Sequence, residues 1–177
     1  MNIQESLTVQ EKYNQKIVEA KSEDAILNLY HTRSNILYPL GLSKNETVLL
    51  VGNDSDAIRE YLADKVKATY ELKTTSSKTL ENTVFEVEKD KYDVIVVLGH
   101  LEETMMTLSL GLMTGGRLAV ASSTDEMSDI LVKKLAAEAG LKLLEEYVAE
   151  PDYRFASEIF LKDYKASKSN SYLLVFN

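Results

Sequence analysis

Cysteine is absent from this chain of 177 residues, which excludes a disulfide framework, a thiolate metal site and a cysteine nucleophile. Histidine is almost as scarce. The two present, His31 and His100, have no metal-ligand spacing, so no metal site is expected. Positive charge is in deficit, with 20 Lys and Arg against 28 Asp and Glu. The resulting net charge of −8 argues against non-specific binding to nucleic acid or to anionic lipid. Apolar runs are short, and none approaches the about 20 residues of a membrane-spanning helix. The opening residues Met1-Asn2-Ile3-Gln4-Glu5-Ser6 are polar and lack the basic-then-apolar order of a signal peptide. No phosphate-binding Gly-Lys-Ser/Thr pattern occurs. Two prolines and seven glycines are all that punctuate the chain, and it contains no repeat or low-complexity linker. These absences leave a soluble, cytoplasmic, single-domain protein with no membrane insertion as the expectation. A hydrophobic content of 45% and a charged content of 27% suit one sizeable core.

Hydrophobic periodicity then divides the chain. Residues 5–20 read as a polar helix. Ser22 is an N-cap candidate for a second helix running to Asn35, which gives way near Pro39 and Gly41. Residues 1–40 are therefore expected to form a helical segment packed on an α/β domain over 41–177. In that domain Val48–Val51 is a short buried strand, and Asp56–Lys65 is a helix with Ile58 and Leu62 on one face. Strands are expected at Ala68–Lys73 and, more weakly, at Val84–Val87. Tyr92–Gly99 carries the β-branched run Val94-Ile95-Val96-Val97-Leu98, of the kind buried on both faces of a parallel sheet. A helix over Leu101–Leu112 is expected to stop at Gly115-Gly116, followed by a strand at Arg117–Ser122. A helix over Asp125–Ala139 is closed by Gly140 at C′. Leu141–Val148 and, after a polar stretch, Tyr172–Phe176 are the last two strands, expected to pair antiparallel.

Alternation of this kind predicts a three-layer α/β sandwich, a mostly parallel sheet with helices on both faces and right-handed crossovers. Ligands of such sheets sit beyond the carboxyl ends of the strands, where strand order reverses. Those ends are Gly52–Asp56, Glu71–Lys73, Gly99–Glu103 and Ser122–Thr124. The first is the most telling, because Gly52-Asn53-Asp54-Ser55-Asp56 carries one glycine and two aspartates in a turn that would meet a cofactor.

Four segments in order resemble the class I S-adenosylmethionine-dependent methyltransferases. They are the strand and turn Val48–Gly52, the acidic strand end Tyr70-Glu71-Leu72, the strand Tyr92–Gly99 and the turn Met113-Thr114-Gly115-Gly116-Arg117-Leu118. The chain is most similar to the methyltransferase-like domains of bacterial surface-polysaccharide and glycosyltransferase systems. There Pro151-Asp152-Tyr153-Arg154-Phe155 with Ser157-Glu158-Ile159-Phe160, and Arg33-Ser34-Asn35-Ile36-Leu37, have similar counterparts. The resemblance covers roughly residues 30–177. It implies a Rossmann-like fold with a seven-stranded sheet ending in an antiparallel hairpin.

It also implies a site. Gly52 matches the first glycine of the cofactor loop, with Asn53 and Asp54 following it. Asp54 and Asp56 stand on positions that are usually glycine, and Leu50 replaces the acid common before the loop. Glu71 matches the acid that accepts hydrogen bonds from the ribose hydroxyls. Gly99 and His100 fall at the rim after the fourth strand of the family pattern, and Asp93 matches the acid that opens it. The expected cofactor is S-adenosylmethionine, held by Gly52, Asn53, Asp54, Glu71, Gly99 and His100, with no metal. His100 is the candidate general base; the competing reading is a partly exposed histidine near a helix start. Asp93 is read as satisfying nearby backbone groups, and Glu102 and Glu103 as first-turn acids favoured by the helix dipole. His31 reads as a surface or packing residue. Asp152, Tyr153 and Arg154 either line a substrate mouth or form an ordinary turn with a packed tyrosine. Two functions follow: an accessory binding module with an eroded cofactor loop, working beside a glycosyltransferase or another polysaccharide-assembly protein; or an active methyltransferase acting on a sugar or another small hydroxyl compound.

Overall fold

The computed structural model describes residues 32–52, 56–72, 87–99 and 105–177. Seven strands form one sheet: β1 (Thr47–Val51), β2 (Ala68–Leu72), β3 (Tyr92–Leu98), β4 (Leu112–Ser123), β5 (Leu143–Glu150), β6 (Glu158–Leu161) and β7 (Ser171–Phe176). Their order across the sheet is β2-β1-β3-β4-β7-β5-β6. Neighbours among β2, β1, β3 and β4 run parallel, whereas β7 lies antiparallel between β4 and β5, and β6 pairs antiparallel with β5. The three α-helices among the described residues are α1 (Asp56–Lys65), α2 (Met105–Leu110) and α3 (Asp129–Glu138), with 3₁₀ turns η1 (Thr32–Leu40) and η2 (Tyr153–Phe155). This is the α/β architecture that the alternation of apolar runs predicts.

Strand alternation sorts the core into two layers. Val48, Leu50, Val94, Val96, Ala119, Ala121, Leu173 and Val175 face one side, against Ile36, Leu37 and Leu40 of η1, Ile58 and Leu62 of α1, and Tyr153 of η2. Leu49, Val51, Ile95, Val97, Leu118, Val120, Leu174 and Phe176 face the other side, against Met105 and Leu108 of α2 and Val132 and Ala136 of α3. Period-two alternation puts each neighbour on the opposite face. Burying each such aliphatic side chain contributes about 1.5–3 kcal/mol relative to exposure. The unbroken apolar runs of β1 and β3 thus have a direct cause: both of their faces are covered.

Several element boundaries differ from the sequence reading. Of the helix expected to run to Asn35, the described part is η1, which continues through Pro39 to Leu40 because Ile36, Leu37 and Leu40 are buried in the sheet layer. The chain leaves it at Gly41, whose φ is +55°. The helix expected over Leu101–Leu112 is described only from Met105, and it ends at Leu110 rather than at Gly115-Gly116. Gly111 causes the stop: a Cβ there would lie 2.4 Å from Val87 Cγ1, and its N–H bonds to the Leu108 carbonyl. Gly115 and Gly116 instead lie inside β4, which begins at Leu112 opposite Tyr92. The helix expected from Asp125 begins at Asp129, after a turn in which Glu126 and Met127 both donate to Ser123 O. Its end is as expected. Gly140 N bonds to Ala137 O, Leu141 N to Ala136 O, and Gly140 has φ +81°, the Schellman arrangement. Of the weak strand at Val84–Val87, only Val87 is described, and it belongs to no strand. The last two expected strands, here β5 and β7, do pair antiparallel, but the polar stretch between them folds into η2 and the edge strand β6.

Candidate functional site at the carboxyl edge of the sheet

The strand order 2-1-3 places the topological switch point between β1 and β3, so the first strand of each crossover ends at one rim. Gly52 continues β1 by one residue, its N–H bonding to Leu72 O at 3.0 Å, and then turns with φ +130°. A Cβ at this position would stand 2.5 Å from the Leu98 carbonyl oxygen. Glycine is therefore required here twice, by conformation and by close approach. Gly99 does the same for β3, with its N–H on Ala121 O at 2.9 Å and φ +90°. The two glycine turns thus lie side by side at the switch point.

Glu71 sits one residue before the end of β2, in register with Leu50, on the edge strand. Its side chain is partly exposed, and Oε1 lies 3.7 Å from Arg59 Nε of α1. Asp93 has the backbone role read from its position: Oδ2 accepts the Thr47 N–H at 2.7 Å and ties the start of β1 to β3. Asn53, Asp54, Ser55, His100, Glu102 and Glu103 lie outside the described residues, as does the side chain of Asp56. Among the described residues no group of three or more His, Cys, Asp or Glu side chains is placed to hold a metal ion. No helix there is long and apolar enough to cross a membrane.

On the other side of Gly99 the structure brings together Asp152, Tyr153 and Arg154 with Glu126, a residue the sequence reading did not single out. Glu126 lies three residues after the end of β4. Its Oε2 accepts the Tyr153 hydroxyl at 2.7 Å, and its Oε1 accepts from Arg154 Nη2. The Arg154 guanidinium lies over the Tyr153 ring, 4.7 Å from the centroid, a cation–π contact. Asp152 is buried; it accepts the Arg154 N–H at 2.9 Å and the Ser171 hydroxyl at 3.1 Å, and faces Arg154 Nη1 at 3.9 Å. A Cβ on Gly99 would be 3.6 Å from the Tyr153 oxygen and 4.0 Å from Glu126 Oε2, so the cluster stands directly over that turn. Burial, and next the hydrogen bond to Glu126, push the Tyr153 phenol far up, against the lowering effect of Arg154. Burial alone would lower the Arg154 guanidinium, but Tyr153, Glu126 and Asp152 together hold it above its ordinary value.

The signal that could have found Glu126 is its place just after Ser122-Ser123-Thr124, already recognised as a strand end. An open groove of ≈ 400 Å³ lined by Gly115, Gly116, Gly140, Lys142 and Asn177 belongs to the opposite rim, where β4 begins.

No protein-family model and no curated protein matches the chain in sequence. Solved structures do. A TehB-like SAM-dependent methyltransferase from Corynebacterium glutamicum superimposes with a TM-score of 0.57 at 14% identity, over 95% of this chain and 97% of its own. The chain has the SAM-dependent methyltransferase fold. The CcbJ methyltransferase from Streptomyces caelestis gives 0.56 at 12% identity, covering 82% of this chain and 88% of its own. The tRNA (m1A58) methyltransferase TrmI from Aquifex aeolicus gives 0.54 at 15%, covering 81% and 68%. At such identities the likeness is one of architecture. Gly52, Glu71 and Gly99 lie at the carboxyl edge of the parallel strands, the edge at which open α/β sheets in general take their ligands.

Proposed function

We propose that this chain is a methyltransferase-fold binding module whose affinity for S-adenosylmethionine has been eroded, and that it serves as an accessory to polysaccharide assembly. The observation that carries the first part is the acidic stretch Asn53-Asp54-Ser55-Asp56 directly after Gly52. Gly52 abuts Leu98, so the stretch starts from a fixed point and a cofactor on this rim must meet it. Two carboxylates in that stretch would oppose the carboxylate of a methionine moiety bound at this rim. At 4 Å, a like-charge pair costs about 1 kcal/mol in water and about 4 kcal/mol at an effective dielectric near 20. Micromolar affinity amounts to only about 8 kcal/mol, so such a contact removes much of it.

The polysaccharide assignment is supported by the resemblance of Pro151–Phe160 to its counterpart in surface-polysaccharide systems; the partner proposed is a glycosyltransferase or another assembly protein. Calorimetric titration with S-adenosylmethionine and S-adenosylhomocysteine tests the reading. It expects no micromolar binding of either, and micromolar binding overturns it.

A second reading, an active methyltransferase with a sugar or small hydroxyl acceptor, is favoured by the retained Gly52 turn and by Glu71 at the end of β2. Both fit the family's cofactor positions, Gly52 approaching the ligand by its backbone and Glu71 holding the ribose. His100 is then the base. On this reading Glu71→Ala weakens cofactor binding at least tenfold, measured by the same titration; unchanged affinity removes Glu71 from that role.

A further inference from the structure

The acid at the end of β2 already has a partner. Glu71 is in register with Leu50, and Leu50 packs in the layer that holds Ile58 and Leu62 of α1, so Glu71 stands on the α1 face of the edge strand. The helix α1 starts at Asp56, just past the Gly52 turn, and Arg59 lies in its first turn. Arg59 Nε is 3.7 Å from Glu71 Oε1, an ion pair between helix and strand. A cation in a first turn opposes the positive end of the helix dipole, where acids are favoured. The helix itself therefore disfavours arginine at this place, and the Glu71 carboxylate offsets the mismatch. The Arg59 and Glu71 side chains keep 39% and 31% of their surface exposed, so a solute at the rim reaches both, and the pair is of the weak, displaceable kind.

We infer that Arg59 is a specificity-determining residue of this rim: by engaging Glu71 it withdraws the carboxylate from a ribose diol. This role rests on the reading of the rim as an eroded S-adenosylmethionine site, and adds a second, independent cause of the erosion. An acid near the end of the second strand holds ribose by accepting hydrogen bonds from its hydroxyls. Bonds of that kind draw their strength from the charge of the acceptor. Arg59 offsets that charge and sits against Oε1, one of the two oxygens a diol would use. The acidic stretch at 53–56 acts on the methionine end of a ligand, whereas Arg59 acts on its nucleoside end. Adenosine has the ribose and no carboxylate, so it isolates the second effect from the first.

The test is titration of adenosine and of 2′,3′-dideoxyadenosine into the parent, Arg59→Gln, Arg59→Ala and Arg59→Ala/Glu71→Ala, followed by NMR, with circular dichroism to establish folding. Both Arg59 variants are expected to bind adenosine about three- to tenfold more tightly than the parent. Arg59→Gln removes the charge and keeps a long polar side chain, and it serves alone if the alanine variant does not fold. The gain is expected to be absent for the dideoxy nucleoside, which lacks both hydroxyls, and to vanish when Glu71→Ala is added. A purely structural role for Arg59 would not distinguish the two nucleosides. Adenosine affinity that does not rise in the folded Arg59 variants, a gain shared by the dideoxy nucleoside, a gain that survives loss of Glu71, or no detectable adenosine binding in any variant overturns the proposal. Such a failure leaves the effect of Asp54 and Asp56 standing, because adenosine carries no carboxylate. Conversely, micromolar binding of S-adenosylhomocysteine by the parent overturns the eroded-site reading, while the adenosine comparison still decides the role of Arg59.

Discussion

Replacing Gly52 by alanine would set a Cβ 2.5 Å from the Leu98 carbonyl oxygen, on a residue whose φ is +130°. Strain from the dihedral and from the overlap each cost about 1–3 kcal/mol, so Gly52→Ala should lose about 2–6 kcal/mol in urea unfolding. A loss below about 0.5 kcal/mol, the range of an unremarkable surface change, would contradict the close approach of β1 and β3. At this scale the sequence was legible where one residue type has one physical use. Gly52 is a lone glycine after an apolar run, and Asp93 opens a buried strand and supplies an acceptor to Thr47 N. Glu126 was legible only as a residue just beyond a strand end, not in its partners. A glutamate near a helix start has an ordinary explanation in the helix dipole, and only the fold brings it to Tyr153 and Arg154, 27 and 28 residues away.

Elements were read best where burial acts on both faces. The runs of β1 and β3, and the amphipathic α1, appear where periodicity puts them, because tertiary burial and local pattern agree. Boundaries failed where one glycine or proline has several uses. Gly115-Gly116 was read as a helix stop, yet the stop is Gly111, whose need for a missing Cβ is visible only once Val87 is packed against it. Pro39 was read as a breaker, yet η1 contains it, since burial of Leu37 and Leu40 outweighs one missing N–H.

The α3–β5–β6 corner gives a prediction at the same scale. Lys133 bridges Asp129 at 3.2 Å and Glu146 at 2.8 Å, and Lys162 joins both acids at 3.5 and 2.5 Å. Burial alone would raise the Asp129 carboxyl, but the Lys133 hydrogen bond and charge, the Lys162 charge and the Ile130 N–H outweigh it and hold it below its ordinary value of 3.8. Below that value the unfolded chain takes up the proton first. The contribution is therefore complete above pH 3.8 and is lost as pH falls through the lower folded value. Asp129→Asn should lower stability near neutral pH and shrink the further loss on acidification from about pH 6 to about pH 3. Denaturant midpoints across that range measure it, and an unchanged acid dependence would detach Asp129 from the network.

Over the whole molecule, the sheet explains how the proposed loss of cofactor affinity can leave the fold intact. Its two core layers are built from alternation within strands. Under the proposed function, changes in residues 53–56 alter ligand affinity while the architecture stands. The most direct measurement is calorimetric titration of S-adenosylhomocysteine into the parent protein and an Asp54→Gly/Asp56→Gly variant side by side. The proposed function predicts no micromolar binding to the parent and at least a tenfold gain in the variant, as two carboxylates are removed from residues 53–56. Micromolar binding by the parent, with no gain when both aspartates are removed, would contradict it.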